Sequence, residues 1–261
     1  MKIVSILNCK GGCGKTAAAI NLAYEFSKKY KVLLIDLDPQ ADASSKFTNN
    51  YEEVNGISEV LKQEVSIKEV IQKAETNTNL YFVPSKFELN ETNDLLGAKA
   101  QVAVLKKAID SVRDLFDIVI IDNNPNCMAL FRNNIYAADI VLIPITIYNN
   151  AIKGIDYTIR QITKTIEDSP LPLNVDYRVY FSITTYNRNV LSINARRVFE
   201  HIVKYYNTKV LKTCIKEQWK AAQDQSFYKS YFPVDDPSSA MGNDFVRLAS
   251  ELENTVLNLG R

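Results

Sequence analysis

A short apolar run followed by a glycine-rich loop constrains this chain more than anything else in it. Ile3–Leu7 is strand-length and stops at Asn8; Lys10-Gly11-Gly12-Cys13-Gly14-Lys15-Thr16 follows, and a helical pattern opens at Lys15. Strand, glycine loop and helix in that order, with Lys-Thr at the join, form a phosphate loop. The glycines let backbone N–H groups point inward around phosphate oxygens, where side chains would block the approach. The helix start near Gly14 adds its positive dipole end. Lys15 supplies a charge for β- and γ-phosphates, and Thr16 a hydroxyl for Mg2+. Ala17 completes the expected nucleotide-contact set of residues 10–17. The chain is therefore expected to use ATP and Mg2+.

Elsewhere, short β-branched runs alternate with longer helical patterns. Ile3–Leu7, Val32–Ile35, Leu80–Val83, Ile118–Ile121, Ile140–Ile143, Val179–Ile183 and Val210–Ile215 read as buried strands. Lys15–Lys29, Ser66–Ala74, Ala98–Leu115, Ile155–Ile166, Ser192–Tyr206 and Ser238–Leu257 read as helices, with Ser192 and Ser238 as N-caps. Thr48–Gly56 reads as a surface loop. The expectation is an α/β fold: a doubly wound, mostly parallel sheet of about seven strands with helices on both faces, one domain over residues 1–261.

The formal net charge of +1 points to no partner in bulk, so a nucleic-acid surface has to be a local patch. Cys9, Cys13, Cys127 and Cys214 form no CxxC pair, which reads as reduced thiols of the cytoplasm. No signal peptide opens the chain and no apolar run approaches the roughly 20 residues that cross a bilayer. A cytoplasmic protein without a membrane partner is expected.

Two strands end in acids. Val32–Ile35 runs into Asp36-Leu37-Asp38-Pro39-Gln40, and Ile118–Ile121 into Asp122. In doubly wound sheets, ligands bind at carboxyl ends of strands. A carboxylate there can hold Mg2+ through water or orient an attacking water; a strand-terminal acid can also cap the next helix. Asp36 and Asp38 share a face if the strand extends that far.

Lys10 stands where a second cation crowds one set of phosphates. The pattern Lys-Gly-Gly-x-Gly-Lys-Thr together with Asp-x-Asp-Pro-Gln resembles the deviant Walker A ATPases of the ParA/MinD family, in its ParA-type, Soj-like branch. The resemblance runs over essentially the whole chain. It implies that Lys10 crosses a dimer interface to the partner's nucleotide, making Lys10, Lys15 and Asp38 the catalytic set. It also implies that Asp38 positions water, that Asp36 supports the magnesium shell with Thr16, and that Asp122 is the Walker B acid. Two departures stand out: Cys9 replaces the opening glycine of the phosphate-loop motif, and Asn123-Asn124-Pro125-Asn126 stands where the family reads Thr-Pro-Pro-Ser. Near the adenine, Ile215-Lys216-Glu217-Gln218-Trp219 replaces Ile-Pro-Arg-Asn, so Lys216 and Gln218 are the candidate contacts there and Trp219 either stacks on the base or fills the core.

The chain begins at its first strand and ends in an acidic segment, which matches the short ParA type without a basic membrane helix. The resemblance then implies an ATP-state homodimer, nucleoid association through nonspecific DNA binding, and hydrolysis stimulated by a ParB-like or ribbon-helix-helix centromere-binding protein. Arg188 and Lys220 match the family's DNA face by position, and Arg196 and Arg197 extend it. Two alternatives remain: a positioning switch for a non-DNA assembly, and a metal-cluster carrier using Cys127, which has no obvious counterpart.

Overall fold

Unbroken runs of Val, Ile and Leu make strands that are apolar on both faces, and such strands need cover on both sides. In the computed structural model, which describes residues 1–257 apart from 77, 148–150, 185, 188–189, 192 and 228–231, helices lie over both faces of these strands. The strands are β1 (Lys2–Ile6), β2 (Val32–Leu37), β3 (Gln72–Lys73), β4 (Leu80–Val83), β5 (Ile118–Asn123), β6 (Ile140–Ile145), β7 (Asp176–Thr184), the hairpin pair β8 (Tyr186–Asn187) and β9 (Val190–Leu191), and β10 (Val210–Lys216). Every residue of β2, β5 and β6 is buried. One sheet of eight strands runs β10-β7-β6-β1-β5-β2-β4-β3, and all its pairings are parallel except β3 with β4.

The helices are α1 (Lys15–Ser27), α2 (Asp42–Phe47), α3 (Ile57–Lys62), α4 (Ile67–Val70), α5 (Leu89–Ala98), α6 (Val104–Asp110), α7 (Met128–Ala137), α8 (Ala151–Glu167), α9 (Ile193–Tyr206), α10 (Trp219–Phe227) and α11 (Ala240–Leu252). Alternation along each strand sorts the core. Val4 and Ile6 join Leu22, Phe26, Phe245 and Leu248 beneath α1 and α11. Ile3 turns to the opposite face, with Leu33, Ile57, Leu105 and Leu130. Leu7, Val141 and Ile143 meet Ile155 and Ile202 from α8 and α9 further along that face.

β1 lies between β6 and β5, so the chain winds outward in both directions from it. Its carboxyl end is the switch point where such sheets open a ligand crevice. The expected strands are all present, and β3 adds an eighth to the sheet. Several helices differ from expectation. The stretch read as a helix over Ser66–Ala74 is α4 followed by β3. The stretch Ala98–Leu115 starts on the last residue of α5 and holds α6 after a break in which Ala100 takes φ 49°. Asn133 makes that break: its Oδ1 accepts from the N–H of Val104 at 3.0 Å and Leu105 at 3.3 Å, and its Nδ2 donates to the Gln101 carbonyl at 2.7 Å. The cap of α11 is Ser239 rather than Ser238; its Oγ accepts from Gly242 N–H at 2.9 Å. Ser192 lies outside the described residues. Thr48–Gly56 is free of helix and strand, as expected.

Candidate functional site

The loop after β1 is held at its base and open at its rim. Asn8 Nδ2 donates to the Pro144 carbonyl at the end of β6 at 2.6 Å, and Cys9 N–H donates to Thr158 Oγ1 on α8 at 3.1 Å. Gly12 and Gly14 take φ 70° and 81°, the left-handed region where a side chain is strained. A β-carbon on Gly11 or Gly12 would meet no atom within 4 Å. α1 starts at Lys15 with no side-chain cap on its N–H groups and no acid in its first turn. A helix start without a cap, led by a lysine, is an anion site by construction. Lys15 is 8% exposed, and its Nζ donates to the Lys10 carbonyl at 3.3 Å. The Lys10 stem lies beside Gly154 of α8, so a β-carbon there would sit 3.8 Å from Lys10 Cδ.

Across the sheet, register brings the acids together. Ile6, Asp122 and Asp36 stand opposite one another on β1, β5 and β2. Asp36 is buried and fully engaged: Ser44 donates to Oδ2 through both Oγ at 2.7 Å and N–H at 2.8 Å, and Asp38 N–H donates to Oδ1 at 3.1 Å. It therefore caps the first turn of α2 while facing Asp122. Asp122 is 0% exposed; the Thr16 hydroxyl faces its carboxylate, and among the described residues no donor meets either oxygen in hydrogen-bond geometry. Burial pushes both acids above the usual carboxylate range, and Asp36 raises Asp122 further, against the pull of the facing Thr16 hydroxyl and Lys15. Two buried carboxylates side by side, one with only the facing Thr16 hydroxyl near it, call for a cation. The donors are oxygen only, which suits Mg2+. Among the described residues no three His, Cys, Asp or Glu side chains cluster as a metal cage, and Mg2+ at phosphate sites takes one or two carboxylates plus phosphate and water. The residues fit the ion.

β2 ends at Leu37, so Asp38 lies just beyond the strand, half-buried. Its Oδ1 accepts from Gln40 N–H at 2.9 Å and from Asn124 Nδ2 at 2.7 Å. Sequence reasoning missed Asn124 and Ser44, which hold the two acids of this segment. It also missed a buried amide network behind Asp122. Asn134 Nδ2 donates to Asn123 Oδ1 at 2.7 Å and to Ser5 Oγ at 2.5 Å, and Asn123 Nδ2 reaches Ser5 Oγ at 3.2 Å. The available signal was three consecutive polar residues, Asp122–Asn124, closing a buried apolar strand. Cys127 is buried and its thiol is pushed up to about 11 by that burial.

Beside Thr16 and Ala17 a cavity of about 300 Å3 opens between α1, α2 and α10, with Lys46 and Gln225 in its wall. Lys46 is 5% exposed, donates to the Gln225 carbonyl at 3.0 Å and lies 4.7 Å from the Phe232 ring centroid. Lys216 is the last residue of β10, and Gln218 lies two residues on, just before α10. Gln218 Oε1 accepts from Met241 N–H at 2.9 Å and Ser239 Oγ at 3.2 Å, so it fastens the start of α11. Lys216 N–H donates to Asp244 Oδ2 at 2.9 Å. Lys220 on α10 and Arg196 and Arg197 on α9 are exposed. Arg188 and the side chain of Trp219 lie outside the described residues. No helix among the described residues is long and apolar enough to cross a membrane.

Known proteins match this arrangement along its length. A family model described as an AAA domain matches residues 1–175. The sporulation initiation inhibitor protein Soj of Bacillus subtilis is 30% identical over 256 residues, covering 96% of this chain and 98% of that protein. The chromosome partitioning protein ParA of Myxococcus xanthus is 30% identical over 260 residues, covering 96% and 87%. A putative plasmid partition protein of Borrelia burgdorferi, solved with AMPPNP, superposes with a TM-score of 0.77 at 25% identity over 96% of each chain.

Proposed function

The chain belongs to the ParA-type partition ATPases of the ParA/MinD family, and from that premise we propose an ATP-driven dimer that binds DNA and lets go of it on hydrolysis. The observation that carries the chemistry is the fully buried Asp122 carboxylate, beside Asp36 and faced by the Thr16 hydroxyl at the uncapped start of α1.

ATP phosphates take the N–H groups of residues 11–16, and Lys15 moves its ammonium from the Lys10 carbonyl to the β- and γ-oxygens. Thr16 and Asp122 hold Mg2+, with Asp36 adding charge from its place against Ser44. Bound there, Mg2+ would supply positive charge to offset the negative charge that develops on the phosphates. Asp38, at the rim, orients the attacking water. Ala17, Lys216 and Gln218 line the nucleoside side. Lys10, whose own subunit is already served by Lys15, reaches the nucleotide of a second copy.

The exposed cations Lys220, Arg196 and Arg197, with Arg188, supply the DNA surface through phosphate contacts that carry no sequence information. A ParB-like or ribbon-helix-helix protein at a centromere-like site stimulates turnover, and the protein works in the cytoplasm on the nucleoid. The test is binding to random-sequence DNA across a salt series. Retention in ATP with a steep salt dependence, and release in ADP, is the expected result. ATP-dependent dimers that ignore DNA at every salt concentration would overturn the DNA reading and favour a switch for a non-DNA assembly.

A further inference from the structure

The residue after β5 reaches across to the residue after β2. Asn124 Nδ2 lies 2.7 Å from Asp38 Oδ1 and donates to it. The orientation of the amide is fixed independently, because Asn124 Oδ1 accepts from Asn126 N–H at 2.7 Å. The amide therefore cannot turn its oxygen toward Asp38 without losing one bond and setting two acceptors face to face. Gln40 N–H donates to the same Asp38 oxygen at 2.9 Å. Two donors thus saturate Oδ1, while among the described residues no donor reaches Oδ2. The strands carrying the pair are in register up to Leu37 and Asn123, so the contact is the next rung of the ladder, made by side chains where the main-chain pairing stops.

We propose that Asn124 is a positioning residue for Asp38. It holds Oδ1 so that Oδ2 is the oxygen presented to the attacking water. This rests on the reading of Asp38 as the residue that orients that water. A carboxylate just past a strand end, half-exposed, has two rotatable bonds; the Asn124 amide and the Gln40 N–H select one rotamer. Proline at position 124, the residue the family pattern has there, has no side-chain donor, so the device belongs to this sequence.

The experiment is single-turnover hydrolysis at saturating Mg-ATP, with nucleotide affinity and melting temperature measured on the same samples. Asn124→Ala is expected to lower the hydrolysis rate roughly tenfold or more, the scale of one hydrogen bond to a charged group, and to leave ATP affinity unchanged. In an Asp38→Ala background, Asn124→Ala is expected to add no further loss. Asn124→Leu keeps the side-chain volume without a donor and is expected to lose the rate as Asn124→Ala does, which separates the hydrogen bond from packing. An unchanged rate in Asn124→Ala, or additive losses in the double variant, would overturn the proposal. A wild-type rate in Asp38→Ala would instead remove the reading of Asp38 on which it stands.

Discussion

Lys15 Nζ donates to the main-chain carbonyl of Lys10 at 3.3 Å. The buried ammonium of the loop thus rests on the backbone of its other lysine, inside the ring of N–H groups that faces an incoming phosphate. Exchange of one oxygen for another is all that nucleotide entry asks of this side chain. Lys15→Ala should therefore weaken Mg-ATP binding by roughly 10- to 100-fold, one to two charge-assisted hydrogen bonds. Isothermal calorimetry is the check, and near-normal affinity would remove Lys15 from phosphate binding.

Lys10 contributes its carbonyl to its own loop and runs its stem past Gly154. Among the described residues no hydrogen bond or ion pair holds its ammonium. Lys10→Ala is expected to bind ATP as a monomer and to fail to dimerise, losing DNA binding with it. Light scattering with a nonhydrolysable ATP analogue tests this, and a normal nucleotide-dependent dimer would refute the cross-subunit role.

Asp122→Asn removes the ionisable group from a fully buried site that faces a second acid, Asp36. Without nucleotide the variant should be more stable than the parent, by about 1–3 kcal/mol for a relieved buried polar group. It should also lose Mg2+-dependent hydrolysis. Thermal melts with and without Mg-ATP decide: a destabilised nucleotide-free variant contradicts this account of the acid pair.

Lys46 gives a pH dependence whose sign is fixed. Burial lowers its pKa from 10.5 to about 8. Below that value the ammonium is charged in both folded and unfolded chains, and the cost of burying it is fully present. Between the two values the folded state has shed a proton that the unfolded chain keeps, so stability rises with pH by up to roughly 1.4 kcal/mol per unit. Lys46→Met lacks this contribution. The stability of the parent relative to Lys46→Met should therefore improve between about pH 7.5 and 9.5, measured by urea denaturation. A constant difference across that range would mean that Lys46 stays charged in the fold.

Lys220→Glu and Arg196→Glu should weaken DNA binding and leave ATP affinity unchanged. If each residue meets one DNA phosphate, each substitution should lower the log-log salt slope by roughly 0.9. Unchanged slopes in both variants would put the DNA surface elsewhere.

The phosphate loop and the strands were legible because their signals are local: glycine spacing in the first case, apolar runs bounded by polar residues in the second. Helix boundaries were less so where their determinants are distant. Asn93 Oδ1 accepts from Ala129 N–H at 3.0 Å and starts α7 from another helix, and Asn133 does the same for α6. Neither asparagine has a local sequence pattern that reveals this. Asp36 and Asp122 were legible as acids at strand ends, but the difference in their surroundings was not. Asp36 is held by two donors of Ser44 while Asp122 is faced only by the Thr16 hydroxyl, a contrast that depends on α2 folding back onto β2. Asn124 read as loop chemistry because its partner, Asp38, is a neighbour only across the sheet.

The central place of β1 also bears on how the protein is made. Lys2 pairs with Ile118, and Val4 with Ile140, so the strand that carries the loop is translated well before either of its partners. At about 5–20 residues per second, an apolar segment waits on the order of ten seconds on the ribosome with both edges unpaired. Nucleotide can stabilise the nascent chain only once β5 and β6 have emerged, since Asp122 arrives with one and the anchor for Asn8 with the other. Ribosome-bound chains stalled short of residue 145 should accordingly engage chaperones and gain no protease resistance from ATP.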